Sequence, residues 1–291
     1  MVQSGVMRPS LPITGSHEGA GTVVSVGSAV QNFKPGDRVM AHIIYHPCGT
    51  CTDCRGPESL TQYCTKAAYN GVKDVDGYFA EYACVDGRWA ARIPDSVSFE
   101  TAAPLACAGC TVYKSIIVAG LKRGEWLGIV GSGGGLGHLG IQFAKALGLK
   151  VVGVDARDEG LELTKKLGAD IVVDARKKGD SLLEEVHKAT NGEGVAATVN
   201  VSDAAAAAAT SCKITRMHGT VVQVAQVCVL TSSLALVSTP KTNVWPARRC
   251  DHTIHRDYLP RHPDPGFADR FRKGSTGYVE HRGGAQDLRP Y

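Results

Sequence analysis

The chain has 291 residues, of which 43% are hydrophobic and 21% are charged, a composition ordinary for a soluble globular protein with room for two domains. The formal net charge of +4 comes from residues 241–291, which hold ten Lys and Arg against six Asp and Glu, whereas the rest of the chain holds 22 of each. The charge balance therefore argues against a nucleic-acid footprint on the body of the protein.

The sequence shows no clear signal for export or for membrane insertion. Residues 1–10 contain no apolar segment of the kind found in a signal peptide. The longest apolar stretch, residues 220–237, is interrupted by five polar side chains and predicts a buried strand rather than a membrane span. Ten cysteines without an export signal favour metal ligands and buried thiols over disulfides. We therefore expect a cytoplasmic protein that does not bind membranes.

Residues 11–41 predict short strands of a small β-barrel, because glycines and a Pro-Gly-Asp turn break the segment into pieces. Val23, Val24 and Val26 indicate one of these strands. His17-Glu18 lies near the start of the region. A histidine in a glycine-rich turn is, by itself, more often a surface or hydrogen-bonding residue than a metal ligand.

Residues 48–64, CGTCTDCRGPESLTQYC, carry a much stronger metal signal. Three thiols at CxxCxxC spacing lie on a compact turn, and a fourth closes a short loop, so that four sulfur atoms can surround one tetrahedral Zn²⁺. The four residues are Cys48, Cys51, Cys54 and Cys64. Such a site has no open position, so it holds a loop and performs no chemistry. The alternatives are a disulfide cluster or scattered free thiols, and the expected intracellular setting favours zinc.

Two further elements precede the middle of the chain. Residues 77–93 alternate like a half-buried strand followed by a hairpin, in which Cys84 is expected to be a buried core thiol. Residues 104–120 predict a helix with small residues on one face. Cys107 and Cys110 are three apart on this helix, so they can share a face or both pack in the core.

Residues 126–155 predict a strand, a glycine-rich turn, a helix and a second strand. Glycines let backbone N–H groups approach a pyrophosphate, and the positive end of the following helix points to the same place. The candidate cofactor-binding residues of this turn are Gly131, Gly133, Gly134, Gly135, Leu136 and Gly137. The alternative is a turn that only packs a helix on a sheet.

Asp155 ends the second strand, 18 residues after Gly137. A dinucleotide-binding fold places a carboxylate at about this distance, where it accepts hydrogen bonds from the adenosine ribose. An acid at this position favours NAD, because it repels a 2′-phosphate, although Arg157 is near enough to complicate that preference.

Strands and helices continue to alternate after Asp155, which predicts a parallel sheet covered on both faces. The predicted helices are residues 158–167, 181–188 and 204–209, and the predicted strands are residues 170–173, 195–201 and 220–225. From residue 227 the hydrophobic periodicity stops, and we expect a poorly ordered tail. A basic arm for nucleic acid is the less favoured alternative.

Seven motifs, taken in order, resemble those of zinc-dependent alcohol dehydrogenases of the medium-chain dehydrogenase/reductase family, of the yeast and fungal type. They are GSHEGAG, FKPGDRV, CGTCTDC, PLACAG, TVYK, GGGLGHLGIQFAKALG and VNVS. The resemblance implies an α/β fold class, with a partial GroES-like β-barrel catalytic domain over residues 1–106 and a Rossmann NAD-binding domain over residues 107–226. Residues 227–291 remain an unmatched tail.

The same resemblance implies the site. His17 and Cys107 match ligands of a catalytic zinc, Glu18 matches the carboxylate beside it and is a possible substitute ligand, and the four cysteines match a structural zinc lobe. The glycine turn and Asp155 match the NAD site. In such enzymes zinc acts as a Lewis acid while a hydride passes between a primary or secondary alcohol and NAD. The implied partners are a small alcohol and its aldehyde or ketone, with a possible homo-oligomer.

Three departures from the family pattern shape the alternatives. First, the family has another catalytic cysteine upstream of its His-Glu motif, and residues 1–16 of this chain contain no cysteine. Second, nine residues rather than seven separate Cys54 from Cys64. Third, the resemblance ends after about residue 226. We hypothesise that the chain is an incomplete or altered alcohol dehydrogenase. The alternative is a catalytically inactive pseudoenzyme that binds NAD and zinc. A zinc-free quinone reductase of the same fold is disfavoured by the four cysteines.

Overall fold

The computed structural model describes residues 9–56, 60–177 and 181–225, which form two compact units. The units divide between Val118 and Ala119. The motif-based boundary instead assigned residues 107–118 to the second domain. The division falls later because residues 99–118 form one uninterrupted helical stretch that belongs to the first unit. The tail predicted over residues 227–291 lies outside the described residues.

Six short strands build the described part of the first unit. They are β1 (Gly19–Thr22), β2 (Arg38–Ala41), β3 (Ile44–Tyr45), β4 (Ala68–Asn70), β5 (Asp74–Val75) and β6 (Ala91–Arg92). One sheet has the order β1-β2-β6 with antiparallel pairs. The other has the order β3-β4-β5, and between β3 and β4 the chain forms the one-turn helix α1 (Thr52–Arg55) and a 3₁₀ turn (Thr61–Tyr63).

The strand predicted around Val23 to Val26 is wrong. Strand β1 ends at Thr22, and the Val24 side chain is 65% exposed. The backbone of Val23 still pairs with the Pro-Gly-Asp segment: its N–H donates to the Asp37 carbonyl at 2.9 Å, and its carbonyl accepts from Gly36 N–H at 2.8 Å. These partners already belong to the turn before β2, so β1 does not extend to Val24 and Val26.

The strand and hairpin predicted over residues 77–93 are also wrong, since only β6 forms there. The reason lies in the backbone hydrogen bonds. The N–H groups of Gly77, Tyr78 and Phe79 donate to carbonyls of residues 14–16, at 2.8–3.2 Å. This segment consequently pairs with the loop before β1, and Cys84, expected to be a core thiol, is exposed.

The helix predicted over residues 104–120 begins earlier. Helix α2 (Phe99–Pro104), a π-helical turn (Leu105–Gly109) and helix α3 (Cys110–Val118) follow one another without a break, and the Ser98 hydroxyl caps the start by accepting from Thr101 N–H at 3.2 Å. By length and composition alone, these 20 residues, with a mean hydropathy of 1.3, could cross a membrane. A core helix meets the same criterion.

The second unit is built on a five-stranded sheet. Its strands are β7 (Trp126–Val130), β8 (Lys150–Asp155), β9 (Ile171–Asp174), β10 (Val195–Asn200) and β11 (Thr215–Gln223), and its helices are α4 (Gly135–Ala146), α5 (Asp158–Lys166), α6 (Ser181–Ala189) and α7 (Ala207–Ile214). All neighbouring strands are parallel, in the order β9-β8-β7-β10-β11. This is the strand order of a doubly wound fold. The predicted parallel sheet is confirmed.

The core of this unit explains why its elements were easier to predict. Leu127, Ile129, Val151 and Val199 on the central strands are fully buried, as continuous apolar runs in a parallel sheet should be. Because parallel strands end at the same edge, the glycine turn after β7 and Asp155 at the end of β8 lie side by side. There are two exceptions: α7 begins three residues later than predicted and continues to Ile214, and β11 begins five residues earlier than predicted.

Candidate functional site

The first candidate site is a group of four thiols in the loop between β3 and β4. The sulfur atoms of Cys48, Cys51, Cys54 and Cys64 all lie within 4.8 Å of one another. Four thiolates about 2.3 Å from one tetrahedral zinc lie about 3.8 Å apart. The Cys48 and Cys54 sulfur atoms are 4.0 Å apart, so the group fits a closed zinc site.

Backbone donors surround these sulfur atoms, as a negatively charged thiolate requires. The N–H groups of Thr50 and Cys51 donate to the Cys48 sulfur at 3.4 and 3.3 Å, and Cys48 N–H donates to the Cys64 sulfur at 3.4 Å. Hydrogen bonds from the Thr50 hydroxyl and from these backbone groups lower the pKa of Cys48 to about 5. Burial instead raises the pKa of Cys54 to about 12.

The second candidate site begins with the loop that carries His17. The preceding residue, Ser16, has a φ of +76°, in the left-handed region. Its carbonyl oxygen occupies the space that a Cβ on Gly71 or Gly77 would need. The Gly77 N–H also donates to the Thr14 carbonyl at 2.8 Å. Two glycines far away in the sequence therefore determine where His17 lies.

His17 lies close to two other side chains of the first unit that could hold a metal ion. A ring nitrogen of His17, a carboxylate oxygen of Glu18 and the sulfur of Cys107 lie within 4.8 Å of one another, and all three residues are half-buried. Two such atoms bound to one zinc would lie about 3.3–3.8 Å apart. The spacing and the nitrogen, oxygen and sulfur chemistry of this group therefore fit a zinc ion with one position left open.

The π-helical turn supports this group from the other side. Cys107 is in the middle of the turn, and the adjacent Ala108 N–H donates to Glu18 Oε1 at 3.0 Å. Turns of this type recur at functional sites because they displace backbone groups from the regular helical pattern. Burial, with Cys110 and Glu18 nearby, raises the pKa of Cys107 to about 11.

Cys107 belongs to the His17 group, whereas Cys110 does not. Cys110 lies instead beside a histidine that the sequence analysis did not single out. The Cys110 thiol donates to the Ala106 and Cys107 carbonyls at 3.3 and 3.2 Å, and its sulfur is 3.9 Å from His42 Nε2. Burial and the nearby His17 lower the pKa of His42. His42 belongs to no motif, so only the fold could reveal its position beside the His17 group.

In the second unit, the glycines of the turn after β7 are of two kinds. Gly131 has a φ of +87°, and a Cβ on Gly133 or Gly137 would overlap the backbone of Gly160 or of Gly131 itself. These three positions are glycine because the turn, α4 and α5 approach one another so closely.

Gly135 is of the other kind, because a Cβ there would meet no atom within 4 Å. It begins α4, which is capped by Gly134 without a side-chain hydrogen bond. The first N–H groups of a helix have no partner inside the helix, and they attract anions. The open space beside Gly135 therefore fits a phosphate group.

Asp155 lies where the sequence analysis placed it, at the end of β8 and beside this turn. Its carboxylate accepts a hydrogen bond from Gly133 N–H at 2.9 Å, which ties the turn to β8. Although burial acts to raise it, hydrogen bonds from the backbone of Arg157 and Gly133 lower the pKa of Asp155 overall. The carboxylate is therefore ionised at neutral pH.

Two family models match the chain. Residues 1–95 match the alcohol dehydrogenase GroES-like domain, and residues 135–239 match the zinc-binding dehydrogenase model. An alcohol dehydrogenase of Geobacillus stearothermophilus is 44% identical over 200 residues, which are 68% of this chain and 57% of that protein. An alcohol dehydrogenase of Schizosaccharomyces pombe is 42% identical over 183 residues, which are 62% of this chain and 51% of that protein.

A comparison with solved structures agrees with the two family models. A solved structure described as an NAD-dependent alcohol dehydrogenase superposes with a TM-score of 0.68 at 27% identity, over 76% of this chain and 64% of that one. The chain thus spans little more than half the length of the curated relatives it matches. The predicted α/β fold, a GroES-like domain followed by a Rossmann domain, is confirmed. The chain belongs to the zinc-dependent alcohol dehydrogenases of the medium-chain dehydrogenase/reductase family.

Proposed function

We propose that this chain is a zinc- and NAD-dependent alcohol dehydrogenase that transfers a hydride between a primary or secondary alcohol and NAD. The observation that carries the proposal is the group of His17, Glu18 and Cys107. Three protein ligands and an open position are what a catalytic zinc requires, whereas a closed four-cysteine site would only support structure.

Zinc held by this group would serve as a Lewis acid toward the alcohol oxygen, with NAD as the hydride acceptor. His17 and Cys107 would supply nitrogen and sulfur ligands. Glu18 would supply an oxygen ligand, and the hydrogen bond from Ala108 N–H holds its carboxylate toward Cys107. An open fourth position would then face the substrate oxygen.

His42 would be a fixed hydrogen-bond donor beside this group. The Ile44 N–H donates to His42 Nδ1 at 3.2 Å, and a nitrogen that accepts a hydrogen bond carries no proton. The proton of the neutral ring is therefore on Nε2. The Tyr78 hydroxyl donates to the His42 carbonyl at 2.8 Å and helps to fix the residue in place.

The remaining residues would bind the structural zinc and the dinucleotide. Cys48, Cys51, Cys54 and Cys64 would hold the structural ion. The turn of residues 131–137 would present backbone N–H groups to the pyrophosphate of NAD, because the space beside Gly135 is open and α4 begins there. Asp155 would support the turn from the adjacent strand.

Zinc content tests this proposal on the purified, folded full chain. We expect two zinc ions per chain by elemental mass spectrometry, one of which is lost in Cys51→Ser and the other in Cys107→Ser. Cys84→Ser is the matched control, because Cys84 is exposed and belongs to neither group, and it should retain both ions. Alcohol-dependent formation of NADH should accompany the second zinc.

Other zinc contents would change the conclusion. A single zinc that disappears in Cys51→Ser, with no alcohol-dependent NADH formation, would establish the inactive NAD- and zinc-binding pseudoenzyme instead. The absence of zinc from the wild type would contradict both metal assignments. Equal zinc loss in Cys84→Ser would show that the cysteine variants simply misfold.

We also propose a cytoplasmic location and no membrane binding. The apolar helical stretch of residues 99–118 packs inside the first unit, where Ala102, Val112 and Ile116 are buried. It also carries Cys107, which would be inaccessible to the His17 loop if the stretch crossed a membrane. A homo-oligomer remains our prediction, which light scattering of the purified chain would test.

A further inference from the structure

The loop that carries the four cysteines is entered through a residue in a strained backbone conformation. His46 follows the two-residue strand β3 and has a φ of +47°, in the left-handed region that a residue with a side chain seldom adopts. Its ring stacks on that of Tyr45, with the centroids 4.2 Å apart, and its N–H donates to Asp86 Oδ2 at 3.1 Å. Such a conformation persists only where the surroundings hold it. Asp86, 40 residues further along the chain, therefore helps to fix the start of the loop.

Asp86 is held in turn by Arg88. The guanidinium group donates through Nε to Asp86 Oδ1 at 2.9 Å and through Nη2 to Asp86 Oδ2 at 2.5 Å, a fork that fixes the relative orientation of the two groups. The side chain of Asp86 is 5% exposed and that of Arg88 is 53% exposed. Because one partner is buried, solvent and salt screen this pair less than an ordinary surface ion pair.

The third nitrogen of Arg88 contacts the peptide bond that precedes the first cysteine. Nη1 donates to the Pro47 carbonyl at 3.2 Å. The N–H of the same peptide, which belongs to Cys48, donates to the Cys64 sulfur at 3.4 Å. In a planar trans peptide the carbonyl and the N–H point in opposite directions, so a group that fixes one also fixes the other. Arg88 therefore sets the direction of an N–H group that points at a sulfur of the four-cysteine site.

The charge of Arg88 also suits this place. Four thiolates and one Zn²⁺ together carry about two negative charges. The hydrogen bond to Asp86 and the negative charges of Asp86 and Cys54 raise the pKa of Arg88, so the guanidinium lies within the electrostatic influence of the thiol group. A donor on the peptide oxygen also polarises the peptide and strengthens its N–H as a donor. Position and charge thus act in the same direction.

We propose that Arg88, held in place by Asp86, is a positioning residue of the four-cysteine zinc site, where it orients the Pro47–Cys48 peptide so that the N–H of Cys48 stabilises the Cys64 thiolate. The inference rests on the proposed function, because it requires zinc at the four cysteines. Arg88 acts through the peptide and not as a ligand. Motif spacing does not reveal this role, since Arg88 lies 41 residues after Pro47.

The zinc affinity of the full chain tests the proposal without relying on turnover. We would measure it by competition with a chromogenic chelator in the Cys107→Ser background, in which the four-cysteine group remains to bind zinc. Arg88→Gln should weaken zinc binding about 10- to 100-fold, because the peptide loses the partner of its carbonyl. Arg88→Lys should restore only part of the affinity, since one ammonium group does not reproduce the guanidinium fork.

Arg92→Gln is the matched control. Arg92 pairs with Asp37 at 2.7 Å and donates to the Asn32 carbonyl at 2.6 Å, and the side chains of Arg92 and Asp37 are 57% and 10% exposed. A half-exposed arginine again joins a largely buried aspartate to a carbonyl, but in the sheet of β1, β2 and β6, which carries none of the four cysteines. Arg92→Gln should change the zinc affinity less than about threefold.

A second matched pair covers the case in which Arg88→Gln does not fold. Asp86→Asn is then compared with Asp37→Asn, and Asp86→Asn should show the larger loss of zinc affinity. Equal zinc affinities within whichever pair is compared would overturn the proposal and leave the four-cysteine zinc site standing. A Cys107→Ser chain that holds no zinc would instead remove the four-cysteine zinc site from the proposed function, and this inference with it.

Discussion

Replacing Gly77 by alanine should dismantle the His17 site while leaving the four-cysteine site in place. A Cβ at position 77 would lie far inside 3.0 Å of the Ser16 and Gly15 carbonyl oxygens, where real Cβ atoms do not occur. Both obstacles are main-chain atoms, so no side-chain rotation relieves the overlap of about 1 Å. The segment after Gly77 must therefore move away from the loop that carries His17.

That separation has a cost that the structure allows us to estimate. Three backbone hydrogen bonds join the two segments, from the N–H groups of Gly77, Tyr78 and Phe79 at 2.8, 3.1 and 3.2 Å. Each contributes about 0.5–1.5 kcal/mol, so weakening all three costs about 2–4 kcal/mol in unfolding free energy of the first unit. The same movement displaces His17 from Glu18 and Cys107 and so disrupts the ligand group.

The assay combines zinc content with thermal unfolding of the full chain. Gly77→Ala should retain one zinc ion, lose the other, and unfold at a lower temperature than wild type. Gly21→Ala is the matched control, because a Cβ at this position of β1 would meet no atom within 4 Å. If Gly77→Ala and Gly21→Ala had the same zinc content and the same unfolding temperature, the proposed positioning of His17 by Gly77 would be refuted.

Three further outcomes are expected in the second unit. Gly135→Ala should leave stability unchanged or slightly raised but weaken NADH binding, whereas Gly137→Ala should lower the unfolding temperature as well, as calorimetry and thermal melts would show. The pKa of Asp155 is lower in the folded protein than its value of 3.8 in the unfolded chain. The ionised carboxylate therefore stabilises the fold at pH values above 3.8, and this stabilisation is lost as the pH falls through the folded pKa. In urea unfolding, the difference in unfolding free energy between wild type and Asp155→Asn should accordingly narrow below about pH 4. Ile129→Ala, at a fully buried position of β7, should cost about 2–5 kcal/mol by the same method.

The sequence predicted the second unit well because its strands are buried on both faces. A run such as residues 126–130 is apolar throughout, and the glycine turn that follows leaves few alternatives for the chain. In the first unit the same reasoning failed at Val23, Val24 and Cys84. There the strands have two to four residues, and backbone bonds to distant segments decide where each one ends.

The candidate metal-binding residues show the same division between local and long-range information. The four cysteines are close in sequence, so their spacing alone predicted that they would converge. His17 and Cys107 are 90 residues apart, and only their resemblance to family motifs suggested a common site. His42 had neither spacing nor motif to reveal it. Its place beside Cys110 depends on the pairing of short strands that the sequence does not specify.

The glycine turn shows why a motif can be correct and still say little about binding. Gly131, Gly133 and Gly137 are required by the close approach of the turn to α4 and α5, so a chain with this fold would need them even without a cofactor. Gly135 has no such internal requirement. If the open space beside it is there for a phosphate, a methyl group at position 135 should reduce dinucleotide binding without reducing stability. The three structural glycines explain the fold, and Gly135 is the position at which the binding interpretation stands or falls.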